Sequence, residues 1–145
     1  NRAFEERLVG KTYLAILAGH PQGTSGTIEL ALSKISSAEK GWRMIAAKKG
    51  KPAVSHWELV ELLGPHALIR FRPETGRTHQ LRVHALKGLG TPLLGDPVYG
   101  AGHAGAAKRT MLHAESLHVE RPGKTAIEAR APLPKDFRAL GASDG

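Results

Sequence analysis

The sequence predicts an α+β domain, a mixed and largely antiparallel sheet with few helices. Three observations lead to that class. Short runs rich in β-forming residues alternate in polarity and are punctuated by Gly and Pro. These runs follow one another at short spacing, so strands pair with neighbours along the chain. A single complete stretch repeats its apolar residues at helical intervals.

Taken in order, Arg2 to Arg7 carry the pattern of the last turns of a helix, closed by Gly10. The chain thus opens inside a helical turn, unlike a natural beginning. Lys11 to Leu17 predicts a strand with Tyr13, Ala15 and Leu17 on one face. A turn follows at Gly19 to Gly23, and Ile28, Leu30 and Leu32 alternate as a strand behind Gly26. Ser33 to Lys51 is rich in Ser, Lys and Gly around Trp42-Arg43-Met44-Ile45 and reads as an exposed β-loop. Ala53 to Leu62 and Ala67 to Arg72 form two strands joined at Gly64-Pro65. In the second, Leu68, Arg70 and Arg72 face away from Ala67, Ile69 and Phe71. Thr78 to Leu89 predicts the helix, with Thr78 as N-cap, Leu81, Ala85 and Leu89 on its apolar face, and Gly90 as a left-handed stop. Beyond the small-residue loop Gly100 to Lys108, Met111 to Val119 and Thr125 to Ala131 close the sheet, and Pro132-Leu133-Pro134 ends it. No repeat or long linker divides the chain, so residues 1–145 read as one domain.

Lys and Arg number 21 against 13 Asp and Glu, a formal net charge of +8. That surplus points to a polyanionic partner, with RNA or DNA ahead of a membrane surface, although a soluble protein can simply be basic. The absence of cysteine excludes disulfides, thiolate nucleophiles and Cys-type zinc sites, and fits a reducing cytoplasm. No run approaches the roughly 20 apolar residues of a membrane helix, and the first residues lack the apolar core of a secretory signal. No Gly-rich loop carries a lysine for nucleotide phosphates. His79 and His84, like His113 and His118, stand five apart, which on a helix or a strand sends the rings in different directions. They are expected to be structural rather than metal ligands.

The stretch from Phe71 to His84 runs strand, Gly-containing turn, helix start. Helix starts present unpaired N–H groups and the positive end of the dipole, and Arg77 and Arg82 stand close by. The place suits a phosphate or a carboxylate. An ordinary strand–turn–helix with solvated arginines has the same spacing, and the pattern alone does not separate the two.

Gly76-Arg77-Thr78-His79-Gln80-Leu81-Arg82-Val83-His84, followed by Thr91-Pro92-Leu93-Leu94-Gly95-Asp96-Pro97-Val98-Tyr99-Gly100, closely resembles the signature of the RluA-type RNA pseudouridine synthases. Lys11-Thr12-Tyr13-Leu14-Ala15, Gly50-Lys51-Pro52-Ala53 with Trp57-Glu58-Leu59-Val60, and Leu112-His113-Ala114-Glu115 resemble further family segments in the same order. The resemblance covers nearly the whole chain. It implies the family's catalytic fold and isomerisation of uridine to pseudouridine in structured ribosomal or transfer RNA, with the base flipped out and no cofactor. One segment of the family is not present: a histidine–arginine–leucine–aspartate run followed by threonine–serine–glycine, which supplies the aspartate nucleophile. The expectation is therefore a carboxy-terminal, larger part of the catalytic domain that is inactive alone and, with sheet edge and core face uncovered, self-associates. Asp96, between Gly95 and Pro97, is expected to fix a turn.

The resemblance also assigns roles. Arg82 pairs with the family's aspartate and keeps it ionised. Tyr13 packs against the flipped uracil and helps remove a proton late in the reaction, although a core tyrosine would fit the same strand. Leu81 contacts the base, or is a helix-core leucine. Arg77, Lys11 and His79 are candidates for holding RNA, the first two through phosphate. Lys40, Arg43, Lys48, Lys49 and Lys51 could track the strand or be a solvated loop. Three readings remain: an enzyme with Arg82 directed into a cleft beside an empty place where a carboxylate belongs, an inactive RNA-binding module of the same fold with its cleft filled by the chain's own residues, and a basic structural domain without a concave site near Tyr13 and Arg82.

Overall fold

The computed structural model describes residues 9–143. The helix read at Arg2 to Arg7 lies outside the described residues. Six strands form one sheet: β1 (Val9–Leu17), β2 (Ser25–Glu29), β5 (Val54–Leu63), β6 (His66–Pro73), β7 (Leu112–Val119) and β8 (Ile127–Arg130), in the order β2-β5-β6-β1-β7-β8. A separate two-stranded sheet pairs β3 (Leu32–Ser37) with β4 (Gly41–Ala46). Every strand pairing among the described residues is antiparallel, so the expected parallel component is not found there.

The period of two along β1 explains its central place. Ala15 and Leu17 pack on one face with Ala67, Ile69, Phe71, Leu81 and Ala85. Leu14 and Ile16 pack on the other with Leu68, Leu94, Met111 and Phe137. A strand buried on both faces belongs in the middle of a sheet. Between β1 and β7 the register slips at Thr12/Tyr13, where Glu115 is the extra residue. Such a bulge bends and twists its own strand, here β7, opposite Tyr13.

Four boundaries differ from the expectation. Gly10 does not stop a helix; it lies within β1 opposite His118. Leu32 does not continue the strand of Ile28 but opens β3, where it is buried with Met44, Val83 and Tyr99. Pro132-Leu133-Pro134 does not end the fold, since Pro134 precedes α2 (Lys135–Ala139), whose Phe137 is fully buried against the second face. The expected Thr78–Leu89 helix is α1 (Gln80–Val83), continued by a wider π turn (His84–Gly88). Thr78 is not its cap. The helix has no side-chain cap, and the Gln80 side-chain oxygen instead accepts the Arg77 N–H of the preceding turn. Gly90 supplies the left-handed stop at φ 73°. No described helix is long and apolar enough to cross a membrane.

Candidate active site

The site is built around the start of α1. Gln80 and His84 stand one turn apart and are both buried. The Val54 N–H donates to Thr75 Oγ1 (3.0 Å), whose hydroxyl donates to Gln80 Oε1 (2.6 Å). The Gln80 amide nitrogen donates to the Val54 carbonyl (3.0 Å) and to Ser55 Oγ (2.9 Å). Ser55 Oγ lies 2.8 Å from His84 Nδ1, and His84 Nε2–H donates to the Leu30 carbonyl (3.0 Å). A carbonyl can only accept, which fixes the proton on Nε2. With the ring neutral at pH 7, Nδ1 accepts from the Ser55 hydroxyl. Burial holds its pKa below the ordinary value, outweighing the opposing pull of the Leu30 carbonyl.

The other flank of the helix faces a cleft. Arg82 grips both oxygens of Asp96, Nε to Oδ2 at 2.9 Å and Nη2 to Oδ1 at 2.7 Å. Asp96 is fully buried, and its Oδ1 also accepts the N–H groups of Val98 (2.9 Å) and Tyr99 (3.0 Å). Burial alone would raise the Asp96 pKa, but the Arg82 hydrogen bonds and the two N–H groups outweigh it and the carboxyl stays ionised. Asp96 thus fixes its turn, as its place before Pro97 suggests, and also pins Arg82, which its sequence context did not suggest. Gly95 makes the turn possible: its φ is 80°, and a Cβ there would lie 2.1 Å from the Arg109 carbonyl oxygen.

His79 sits at the helix start with a left-handed φ of 54°. Its Nδ1 lies 2.8 Å from the Tyr99 hydroxyl, which also accepts the Met44 N–H at 2.9 Å. Burial, then the Arg82 charge, lowers its pKa. Tyr13 is half-buried on the sheet face that α1 covers, packed against the core. Its hydroxyl makes no hydrogen bond among the described residues, and burial raises its pKa, so it is a neutral phenol at pH 7.

Tyr13, Leu81, Arg82, Lys11, Arg77 and His79, all singled out from the sequence, line one open cleft of about 310 Å³. Pro73, Leu81 and Leu112 give it apolar surface. Leu81 belongs to the core and also borders the cleft. Arg77 donates to the Pro52 carbonyl (2.9 Å) at the rim. Beyond Gly76 and Arg77 lies a second hollow of about 730 Å³, bordered by Lys34, Lys49 and Lys51. The expected basic stretch therefore divides. Lys49 and Lys51 face this hollow, whereas Lys40 and Arg43 border another with Lys87. A concave site next to Tyr13 and Arg82 overturns the reading of a basic domain without one.

Gln80, Thr75 and Trp42 were not singled out. A polar pair at positions 80 and 84, on helical spacing beside the apolar Leu81 and Ala85, was the available signal for the first. The arrangement suits a flat, uncharged ring held between a phenol and apolar side chains, with a fixed guanidinium beside it and cations at the rim. Among the described residues no cluster of metal-ligating side chains is present.

The comparisons with known proteins point to one family. A family model described as RNA pseudouridylate synthase matches residues 1–87. An uncharacterised RNA pseudouridine synthase of Zymomonas mobilis is 52% identical over 141 residues, which make up 97% of this chain and 64% of that protein. The dual-specificity RNA pseudouridine synthase RluA of Escherichia coli is 40% identical over 83% of this chain and 55% of its own length. The solved structure of human RNA pseudouridylate synthase domain containing 1 superposes with a TM-score of 0.78 at 36% identity, covering 92% of this chain and 58% of that one. The chain thus spans little more than half to two thirds of these relatives' own lengths. With the signature residues gathered around one cleft, the match places the chain in the RNA pseudouridylate synthase family, among its RluA-type members.

Proposed function

We propose that this chain forms the base- and phosphate-holding part of an enzyme that isomerises uridine to pseudouridine in structured ribosomal or transfer RNA in the cytoplasm. The observation that carries the reading is the convergence of Tyr13, Leu81 and Arg82 on one cleft, with Arg82 already fixed by Asp96. A uridine inside folded RNA reaches such a cleft by leaving its stack. Tyr13 and Leu81 then pack against the uracil. The Arg82 guanidinium keeps an attacking carboxylate ionised and oriented during cleavage of the glycosidic bond. The isomerisation draws on no cofactor. Lys11, Arg77 and His79 hold the RNA around the flipped nucleotide.

Among the 145 residues, no aspartate stands in the histidine–arginine–leucine–aspartate context of the family nucleophile. Asp96 does not replace it, because it is fully buried beneath Arg82. The chemistry therefore needs a carboxylate that these residues do not supply, and the chain alone binds RNA without isomerising it. Fusing a segment with the family's histidine–arginine–leucine–aspartate run and threonine–serine–glycine to the amino terminus tests this. Pseudouridine is read by carbodiimide labelling of transfer and ribosomal RNA. The expected result is no product from the chain alone, product from the fusion, and none when the added aspartate is changed to asparagine. Product from the chain alone, or from the asparagine fusion, would contradict the assignment. An inactive fusion that still binds RNA would favour an RNA-binding module of the same fold.

A further inference from the structure

We propose that Trp42 is a stacking platform for a nucleobase adjacent in the strand to the nucleotide held in the cleft, an inference that rests on the RNA-binding reading above. Trp42 lies on β4, in the hairpin that forms its own small sheet beside the main one. Its side chain is 46% exposed, whereas the other tryptophan, Trp57, is buried in the core. Tryptophan is highly buried on average, so an indole this exposed leaves ring surface open to a partner.

Trp42 is also held in place. Its ring stacks on His79 at a centroid distance of 4.9 Å and an interplanar angle of 22°. His79 borders the cleft and is itself fixed by the Tyr99 hydroxyl, so the indole stands one ring beyond the cleft wall. His79 takes one face of the indole, so a base leaving the cleft region along the strand stacks on the other, with the flexible Lys34 side chain, whose ammonium lies over the ring, moving to a phosphate.

The charges around it match a nucleic-acid backbone. The Lys34 ammonium lies 4.9 Å from the Trp42 ring centroid. Lys34 also borders the hollow that continues from the cleft across Gly76 and Arg77, together with Lys49 and Lys51. No acidic side chain lines that hollow. Cations of one sign beside an exposed aromatic ring fit a single-stranded polyanion with stacking bases.

The test uses the whole chain and a single-stranded heptaribonucleotide with a central uridine, plus versions abasic immediately 5′ or 3′ of it. Binding is followed by tryptophan fluorescence, with buried Trp57 as a constant background, and by anisotropy of a labelled oligonucleotide. RNA should quench the Trp42 emission, and Trp42→Ala should weaken binding about five- to hundredfold, the range for one base–aromatic stack. Trp42→Phe should recover most of that loss. One of the abasic oligonucleotides should bind the unaltered chain more weakly yet bind Trp42→Ala no worse than the intact oligonucleotide does. Circular dichroism confirms that both variants are folded. RNA binding without quenching, unchanged by Trp42→Ala, would overturn the platform and leave the RNA-binding reading intact. No RNA binding by the unaltered chain would remove that reading itself. Equal quenching by a poly-glutamate peptide would assign the surface to acidic protein instead.

Discussion

The two flanks of α1 make opposite use of polar side chains. On the inner flank Gln80 and His84 are sealed from solvent, with their side-chain donors and acceptors engaged by Thr75, Ser55, Val54 and Leu30. On the outer flank His79 and Arg82 are held just as firmly, but at the border of an open cleft. The inner set fixes the helix against β5, and so fixes where the outer set stands. Side chains within one turn of helix thus divide between scaffold and site, and what separates them is whether the last partner is protein or is left for a ligand.

The sharpest way to break this comparison is Arg82→Ala. It leaves the fully buried Asp96 carboxylate without its counter-ion, and the expected loss of stability by urea unfolding is about 3–5 kcal/mol. Arg82→Lys restores the charge without the two-pronged grip and should fall between. A cost below about 1 kcal/mol for Arg82→Ala would mean that the outer flank carries no structural weight.

Gln80→Leu probes the inner flank. It strips partners from the Thr75 and Ser55 hydroxyls and from the Val54 carbonyl. Thermal or urea unfolding should register about 1–3 kcal/mol for each buried group that finds no replacement.

Acid should act on the same network more gently. Burial lowers the pKa of His84, so the folded chain binds fewer protons than the unfolded chain just below the ordinary value of 6.5. That contribution is complete above pH 6.5 and is lost as the pH falls below it. His79 has the same sign. His118, raised by Glu120 and Glu128 at the surface, has the opposite one. The urea midpoint should therefore drop between about pH 7.5 and 5.5, and the drop should shrink in His84→Gln. An unchanged drop would place the proton uptake elsewhere.

The smallest effect is expected at Tyr13. Its hydroxyl has no partner among the described residues, so Tyr13→Phe should stay within about 0.5 kcal/mol of the unaltered chain in urea unfolding.

How much of this was legible follows from what each feature depends on. The period of two in β1 and β6 and the glycine-bounded hairpin of β5 and β6 are local patterns, and their faces read correctly. The cleft residues were legible through the family signature. Spacing alone left Arg77 and Arg82 between an anion site and solvated arginines. The inner network was not legible, because, Thr75 apart, Gln80 and His84 find their side-chain and carbonyl partners on β5 and at Leu30, 25 to 54 residues away along the chain. The turn role of Asp96 showed in its place before Pro97, but its grip on Arg82, 14 residues upstream, is a tertiary contact. Phe137 was missed because α2, with five residues, is too short to show a helical period. Trp42 was read as part of an exposed loop, and nothing local tells a stacked indole from a solvated one.

The central claim is that Tyr13, Leu81 and Arg82 surround the uridine. Photocrosslinking tests it most directly, using transfer or ribosomal RNA bearing 4-thiouridine in place of uridine and mapping the attached residues by mass spectrometry. The account predicts attachment at Tyr13, Leu81 or their neighbours around the cleft. Attachment confined to the opposite face of the sheet, around Arg70, Glu115 and Arg130, would contradict it.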